Sequence, residues 1–415
     1  MNNEKKVFLN TFYLSIGKIV TSGLGVVSFG VLAHYFDVEH MGEYNLVLNF
    51  VSFLTILADF GLGTVLLRDI AAKKADNTLI SYVFGLRLLL SIIFIGFGSL
   101  SIFIFPYSEE VKIGVIIYAI VNIFSMLSAL IWSVFQAKFL FSKVVVAQIT
   151  IAVINTVLLV SAAYFHLPFL SFIFATSIGM VVGFFVSKSF LHKKIQYLFD
   201  KKRMIGIANE SWPLGAGVLA SVIFFKIDSL ILPYFYNPNQ FPDVGYYGIS
   251  YKIFEVLMVF GGLYTQTLFP LFSAHRSKAE FKRDFRKYIF YTFIIAVIGN
   301  IGLFFLAKPF LYFLGGEKYY PAIPSLQILS FALTVSILSG FFLNIGVVGH
   351  KQFLLFKFAV IAAIINIGLN LILIPKYSFI GASWVTVVTQ LIIFLTSLYS
   401  AVLVIKERKF VTIEQ

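Results

Sequence analysis

Long apolar runs, broken by short polar or basic segments, repeat from one end of the chain to the other. A helix needs about 20 mostly apolar residues to cross the roughly 30 Å hydrocarbon core of a bilayer. Twelve such spans are read, at approximately 8–33, 44–67, 79–105, 112–136, 144–165, 168–189, 211–235, 245–271, 288–307, 321–348, 353–374 and 378–404. A signal peptide followed by a secreted domain does not produce this pattern. The expectation is an all-α integral membrane protein of about 12 transmembrane helices.

Composition supports that reading: 59% of the 415 residues are hydrophobic and 12% are charged, against roughly 25% charge in soluble domains. The excess of 32 Lys and Arg over 19 Asp and Glu would suit nucleic acid only on a folded soluble face. Here it lies in membrane loops, so no nucleic-acid partner is expected. No cysteine is present, which removes disulfides, thiolate metal sites and Cys nucleophiles. The six histidines form no HExxH motif, and no metal or other cofactor is expected.

Lys and Arg also set orientation, because cytoplasmic loops retain positive charge. Of the 32, 23 fall in segments assigned to one side, including six in Lys188–Arg203 and six in Arg276–Lys287. Only Lys112, Lys308, Lys318 and Lys376 fall opposite. Both termini are therefore expected in the cytoplasm.

The basic stretch LHKKIQYLFDKKRMIG divides the chain into two sets of six spans. The expected domains are an N-terminal lobe at 1–190, a cytoplasmic linker at 191–207, a C-terminal lobe at 208–405 and a cytoplasmic tail at 406–415. Faint similarity links the halves. Asn10 and GEYNL (Gly42–Leu46) match Asn209 and GYYGI (Gly245–Ile249), and AVINTV (Ala152–Val157) resembles AAIINIG (Ala362–Gly368). Six spans return the chain to its starting side, so such halves are parallel repeats with a cavity between them.

Five cations lie inside spans: Lys18, Arg87, Lys226, Lys252 and Lys357. A charge at the bilayer centre costs roughly 2.5–3.5 kcal/mol on insertion scales, so it marks a pathway or a buried pair. At 1.5 Å per residue, Lys18 sits about 15 Å deep and the next three about 12 Å deep; Lys357 is expected to snorkel to the surface. The in-span acids are Asp59, Asp228 and Glu255. Lys252 and Glu255, three apart, share a helix face. Lys226 and Asp228, two apart, point about 200° apart on a continuous helix and need different partners. Four deep cations against three acids suit an anionic ligand such as a phosphate or pyrophosphate. The alternative is that each charge only fixes helix packing. Gly23, Gly25, Gly30, Gly215, Gly217 and the GxxxG pair Gly179 and Gly183 permit close helix approach, with a role as hinges the alternative. The aromatic loop Pro233–Tyr247 reads as an interfacial belt, with stacking on sugar rings as the alternative.

No GxxxxGK[ST] is present, so the chain has no P-loop of its own. The sequon Asn209-Glu210-Ser211 falls on the cytoplasmic side and reads as chance. Joining glycans needs positioned acids or bases on a substantial outer loop, and the outer loops are short. Transport fits better than catalysis, and no enzyme is expected.

Several stretches together resemble the polysaccharide-transport family of lipid-linked oligosaccharide flippases, within the multidrug/oligosaccharidyl-lipid/polysaccharide exporter superfamily. They are ADFGLGTVLLRDIA (Ala58–Ala71), NESWPLGAG (Asn209–Gly217), FFKIDSLILPYF into VGYYGISYKIFE, QTLFPLFS (Gln266–Ser273) and INIGLNLILIPKYSFIGASWVT (Ile365–Thr386). The resemblance implies two six-helix lobes around a cationic central cavity that opens alternately to each side. It implies a cargo of undecaprenyl-pyrophosphate-linked oligosaccharide, the repeat unit of O antigen or a related surface polysaccharide, moved across the bacterial inner membrane. A polysaccharide polymerase and a chain-length regulator are the implied partners, beside membrane lipid. On this analogy the family's basic residues of the first and eighth spans fall at Lys18 and Lys252. Relatives often carry Arg at these places, and Lys supplies a point charge without bidentate geometry. Lys18, Arg87, Lys226 and Lys252 are expected to hold the pyrophosphate, and Asp59, Asp228 or Glu255 either to bind a driving H+ or Na+ or to serve as ion pairs. The competing reading is a cation-coupled multidrug exporter of the same superfamily; a membrane polysaccharide polymerase ranks below it.

Overall fold

The computed structural model describes residues 3–72, 76–191, 195–235, 242–274 and 278–407. Among them every regular element is a helix. In chain order these are α1 (Asn3–Tyr35), α2 (Val38–Asp59), α3 (Leu62–Ala71), α4 (Asn77–Leu90), α5 (Glu109–Ala137), α6 (Phe141–Tyr164), α7 (Phe169–Ser189), α8 (Lys201–Lys226), α9 (Asp228–Phe235), α10 (Pro242–Ala274), α11 (Lys278–Phe305), α12 (Ala307–Gly315), α13 (Ile323–Val348) and α14 (Gln352–Glu407). A π-helical stretch, Ser91–Phe97, continues α4, and 3-10 turns lie at Leu100–Ile104 and Glu317–Ala322. Lys73, Lys74, Lys193, Lys194, Arg276, the centre of the aromatic loop (236–241) and the tail from 408 lie outside the described residues.

Among the described residues nine stretches are long and apolar enough to cross a membrane, and one, Gln352–Lys406, spans 55 residues. At 1.5 Å per residue it is long enough to cross twice, and it breaks at Ser378, three residues after Pro375, where φ is 53°. With that stretch counted as two, ten of the twelve expected spans are accounted for, and α8–α9 and α10 occupy the positions of the remaining two. Helix starts follow the capping rule: side chains of Asp37, Asp76 and Ser108 accept from the otherwise unpaired N–H groups of His40, Leu79 and Val111.

Two expected spans are interrupted. The second does not run through to residue 67: α2 stops at Asp59, and Phe60 (φ 50°) and Gly61 (φ 74°) take the left-handed conformation before α3 begins. A right-handed helix cannot propagate through that pair. The seventh begins earlier than residue 211, because the Asp200 carboxylate caps a helix from Lys201 by accepting from Arg203 N at 2.8 Å. It then breaks at Ile227.

Met1–Leu219 belong to one structural unit, Ala220–Tyr236 and Pro242–Gln415 to a second. The boundary thus falls inside α8, and the described part of the expected 191–207 linker belongs to the first unit. There Leu198 N donates to Ser81 O at 3.2 Å, Tyr197 lies edge-on to Phe84, and the Arg203 guanidinium sits 5.2 Å over the Tyr82 ring. Gly85 makes this possible: a Cβ there would stand 2.1 Å from Leu198 O.

The core of the first unit gathers Leu62, Leu66, Phe84, Leu130, Ile131 and Val144. That of the second gathers Phe272, Phe281, Phe341, Ile345 and Ala401, with Phe272 edge-on to Phe341. Mid-helix Val27, Ile120, Val157, Ile298 and Ile364 are all more than half exposed, as lipid-facing positions must be, since lipid tails are as apolar as the side chains. The GxxxG pair packs α7 on α6: a Cβ on Gly179 would lie 1.9 Å from Asn155 Oδ1, and one on Gly183 2.2 Å from Ile151 Cγ1.

The faint sequence repeat has a structural counterpart within each unit. Tyr44 of GEYNL shares a hydrogen bond with Thr176 of α7 (2.7 Å), and Tyr247 of GYYGI shares one with Thr386 of α14 (3.3 Å). Asn155 packs against Gly179 on the next span, while its counterpart Asn366 donates to Thr389 at 2.8 Å.

Candidate functional site: charges within the membrane spans

In the first unit, Lys18 lies on α1 with its side chain exposed. No carboxylate among the described residues stands within 4 Å of its Nζ. Arg87, near the end of α4, is fully buried. Its Nη2 donates to Asp59 Oδ1 at 2.6 Å and its Nη1 to Ala58 O at 3.3 Å, with Met126 Sδ 3.7 Å away. Asp59 keeps about a third of its side-chain surface open, and its other oxygen accepts from Gly61 N. The α2 break therefore serves a purpose: the left-handed turn returns a backbone N–H to the carboxylate that neutralises Arg87. Arg87 faces this acid and the end of α2, not an open surface.

In the second unit the break at Ile227 decides how Lys226 and Asp228 are used. The 200° separation of a continuous helix does not apply, because Lys226 ends α8 and Asp228 opens α9. Asp228 is buried; one oxygen accepts from Ser229 N at 2.7 Å, and the other accepts from Tyr247 OH and, at 3.4 Å, from Thr386 Oγ1. A helix N-terminus also favours the carboxylate. No cation among the described residues lies within 4 Å of it.

Lys226 turns instead to Glu255. Lys252 Nζ donates to Glu255 Oε2 at 3.2 Å, as their spacing on α10 predicts, and Lys226 Nζ stands 4.0 Å from Oε1. The three side chains are 35%, 37% and 41% exposed for Lys226, Lys252 and Glu255. Two cations around one acid leave one positive charge in excess on a partly open surface, the arrangement an anion can exploit. Lys357 sits with its Nζ 4.7 Å over the Phe353 ring.

Tyr247 and Thr386 complete the Asp228 cluster, and sequence reasoning did not select them. Their signal was present: polar residues inside apolar runs, within segments already singled out for other reasons. Arg68, on α3, joins Asp69 (2.8 Å) and Glu210 (2.5 Å). Those hydrogen bonds hold its guanidinium above its ordinary value. Glu210 belongs to the sequon, and Ser211 is fully buried, so that motif is helix packing.

Residues 7–276 match the family described as "Polysaccharide biosynthesis protein". An uncharacterized membrane protein of Methanocaldococcus jannaschii is 25% identical over 383 residues, covering 84% of this chain and 74% of the relative. A capsular polysaccharide biosynthesis protein of Staphylococcus aureus is 29% identical over 160 residues, 37% of this chain and 40% of that protein. Among solved structures, the lipid II flippase MurJ in an inward closed conformation gives a TM-score of 0.77 at 19% identity, covering 93% of this chain and 86% of that one. An inward-facing multidrug resistance MATE family transporter of the MOP superfamily gives 0.68 at 14% identity, covering 96% and 98%. At such identities the likeness establishes the fold.

Proposed function

This chain belongs to the polysaccharide biosynthesis protein family, and from that premise we propose that it is a flippase for an undecaprenyl-pyrophosphate-linked oligosaccharide in the bacterial inner membrane. Its relatives in fold are transporters and flippases, not enzymes. The observation that carries the reading is the excess of positive charge within the spans: the exposed Lys18, and the partly open Lys226–Glu255–Lys252 triad. A pyrophosphate is the anion that such point charges suit. The glycan occupies water, the polyprenyl tail stays in lipid, and alternating access moves the head group from the cytoplasmic side, where both termini lie. A polysaccharide polymerase and a chain-length regulator act on the delivered unit.

Of the three in-span acids, Asp59 is committed to Arg87 and Glu255 to the lysines, while Asp228 has only neutral donors. Asp228 is therefore assigned the coupling ion, H+ or Na+. Support for the cargo comes from the capsular relative and from the fold shared with a lipid II flippase. A small-cation exporter, the alternative in this superfamily, would be opposed by the excess of positive charge.

The test is leaflet exchange in liposomes of a fluorescent undecaprenyl-pyrophosphate oligosaccharide, with wild type, Lys18→Ala and Asp228→Asn. Wild type is expected to move the lipid, Lys18→Ala to slow it at least tenfold, and Asp228→Asn to lose any response to an ion gradient. Wild type that exports small organic cations and moves no lipid-linked glycan overturns the proposal.

A further inference from the structure

A cavity of about 260 Å³ opens in the first unit among α4, the α5–α6 turn and the segment after α7. Ile80, Val134 and Phe135 form part of its apolar wall, and Lys138 and Lys143 stand at the same pocket. None of the charges assigned to transport contributes to it. Both lysines are placed by the three-residue turn between α5 and α6: Lys138 N donates to Phe135 O and Lys143 N to Leu140 O. Lys138 closes the C-terminal end of α5, where a cation is favoured. Lys143 is held in position, its Nζ donating to Phe190 O at 3.3 Å and standing 5.4 and 5.7 Å from the Phe135 and Phe190 ring centres.

Neither lysine has a carboxylate within 4 Å among the described residues. Two cations without a carboxylate partner, Lys143 held by its contacts and Lys138 exposed beside it, match an anionic amphiphile at the edge of an apolar cavity. The turn itself points to where that ligand comes from. Its tip, Phe139 and Leu140, is exposed although apolar, and apolar side chains beside lysines are characteristic of a membrane interface. We propose that this cavity binds an anionic phospholipid, its phosphate on Lys138 and Lys143 and its first acyl carbons against the apolar wall. A free phosphate would use the two cations and leave the cavity wall without purpose.

A basic residue near an anionic membrane strengthens binding about fivefold, so two give a preference of about thirtyfold over a zwitterionic lipid. Native mass spectrometry of the full-length protein in neutral detergent, with phosphatidylglycerol and phosphatidylcholine added separately, measures this. Wild type is expected to prefer phosphatidylglycerol by about that factor, and Lys138→Gln/Lys143→Gln to bind the two lipids within about threefold of each other. Lys138→Arg/Lys143→Arg should retain the preference, as should Lys308→Gln/Lys318→Gln, which removes the same charge elsewhere. If the double Gln variant does not fold, Lys138→Gln alone, at an exposed side chain, should lose about fivefold. A preference unchanged in the Gln variants overturns the proposal. So does millimolar inorganic phosphate displacing phosphatidylglycerol, which would mark an ion site instead of a lipid site.

Discussion

The pairing of Arg87 with Asp59 is best examined by removing one charge and then both. Asp59→Leu leaves a fully buried guanidinium whose strongest remaining bond is to a backbone carbonyl 3.3 Å away. Breaking a buried pair from one side costs about 3–5 kcal/mol. Because Asp59 keeps about a third of its surface open, water can enter beside the orphaned charge, and about 3 kcal/mol is expected. That is roughly a hundredfold in the folded-to-unfolded ratio. Arg87→Met/Asp59→Leu removes both charges and keeps apolar volume, so it should recover most of the loss, since replacing a whole buried pair is often neutral or better. Reversible unfolding of purified protein in mixed micelles, titrated with SDS and followed by circular dichroism, gives the three stabilities. Additive losses in the double variant, or a single variant as stable as wild type, would refute the pairing as the reason Arg87 is tolerated inside a span. The same proteins in the leaflet-exchange assay separate structure from transport: a double variant that folds and still transports makes Arg87 a packing residue.

Three further outcomes follow from close contacts. Gly179→Ala should destabilise by about 1–3 kcal/mol, because its Cβ meets both Asn155 Oδ1 and the Ile151 carbonyl. Gly23→Ala, with nothing within 4 Å of its Cβ, should be neutral in the same SDS titration, and equal effects would discount the GxxxG contact. Gly85→Ala should lift the Leu198 segment from α4 and raise limited proteolysis near Tyr197 several-fold in detergent; an unchanged cleavage pattern counts against the docking described. Tyr247→Phe removes a donor from the buried Asp228 carboxylate and should cost about 1.5–3 kcal/mol, as for hydrogen bonds to charged groups. No loss of stability would show that Asp228 does not depend on that bond.

The twelve-span membrane architecture was legible in the sequence because the bilayer imposes a length and an apolarity on every crossing, and both are one-dimensional quantities. The in-span charges were legible for the same reason, as was the pairing of Lys252 with Glu255, which needs only the pitch of one helix. The GxxxG contact was legible as a close-packing face, though not the identity of Ile151 and Asn155 opposite it. Folding decided what depends on chain breaks and on residues far apart in sequence. The left-handed turn at Phe60–Gly61 turns Asp59 to Arg87, 28 positions away, and the break at Ile227 releases Asp228 from Lys226 and delivers it to Tyr247 and Thr386, the latter 158 positions on. A sequence states that a buried charge needs a partner; which partner it finds is fixed only when helices from distant parts of the chain pack together and exclude the alternatives.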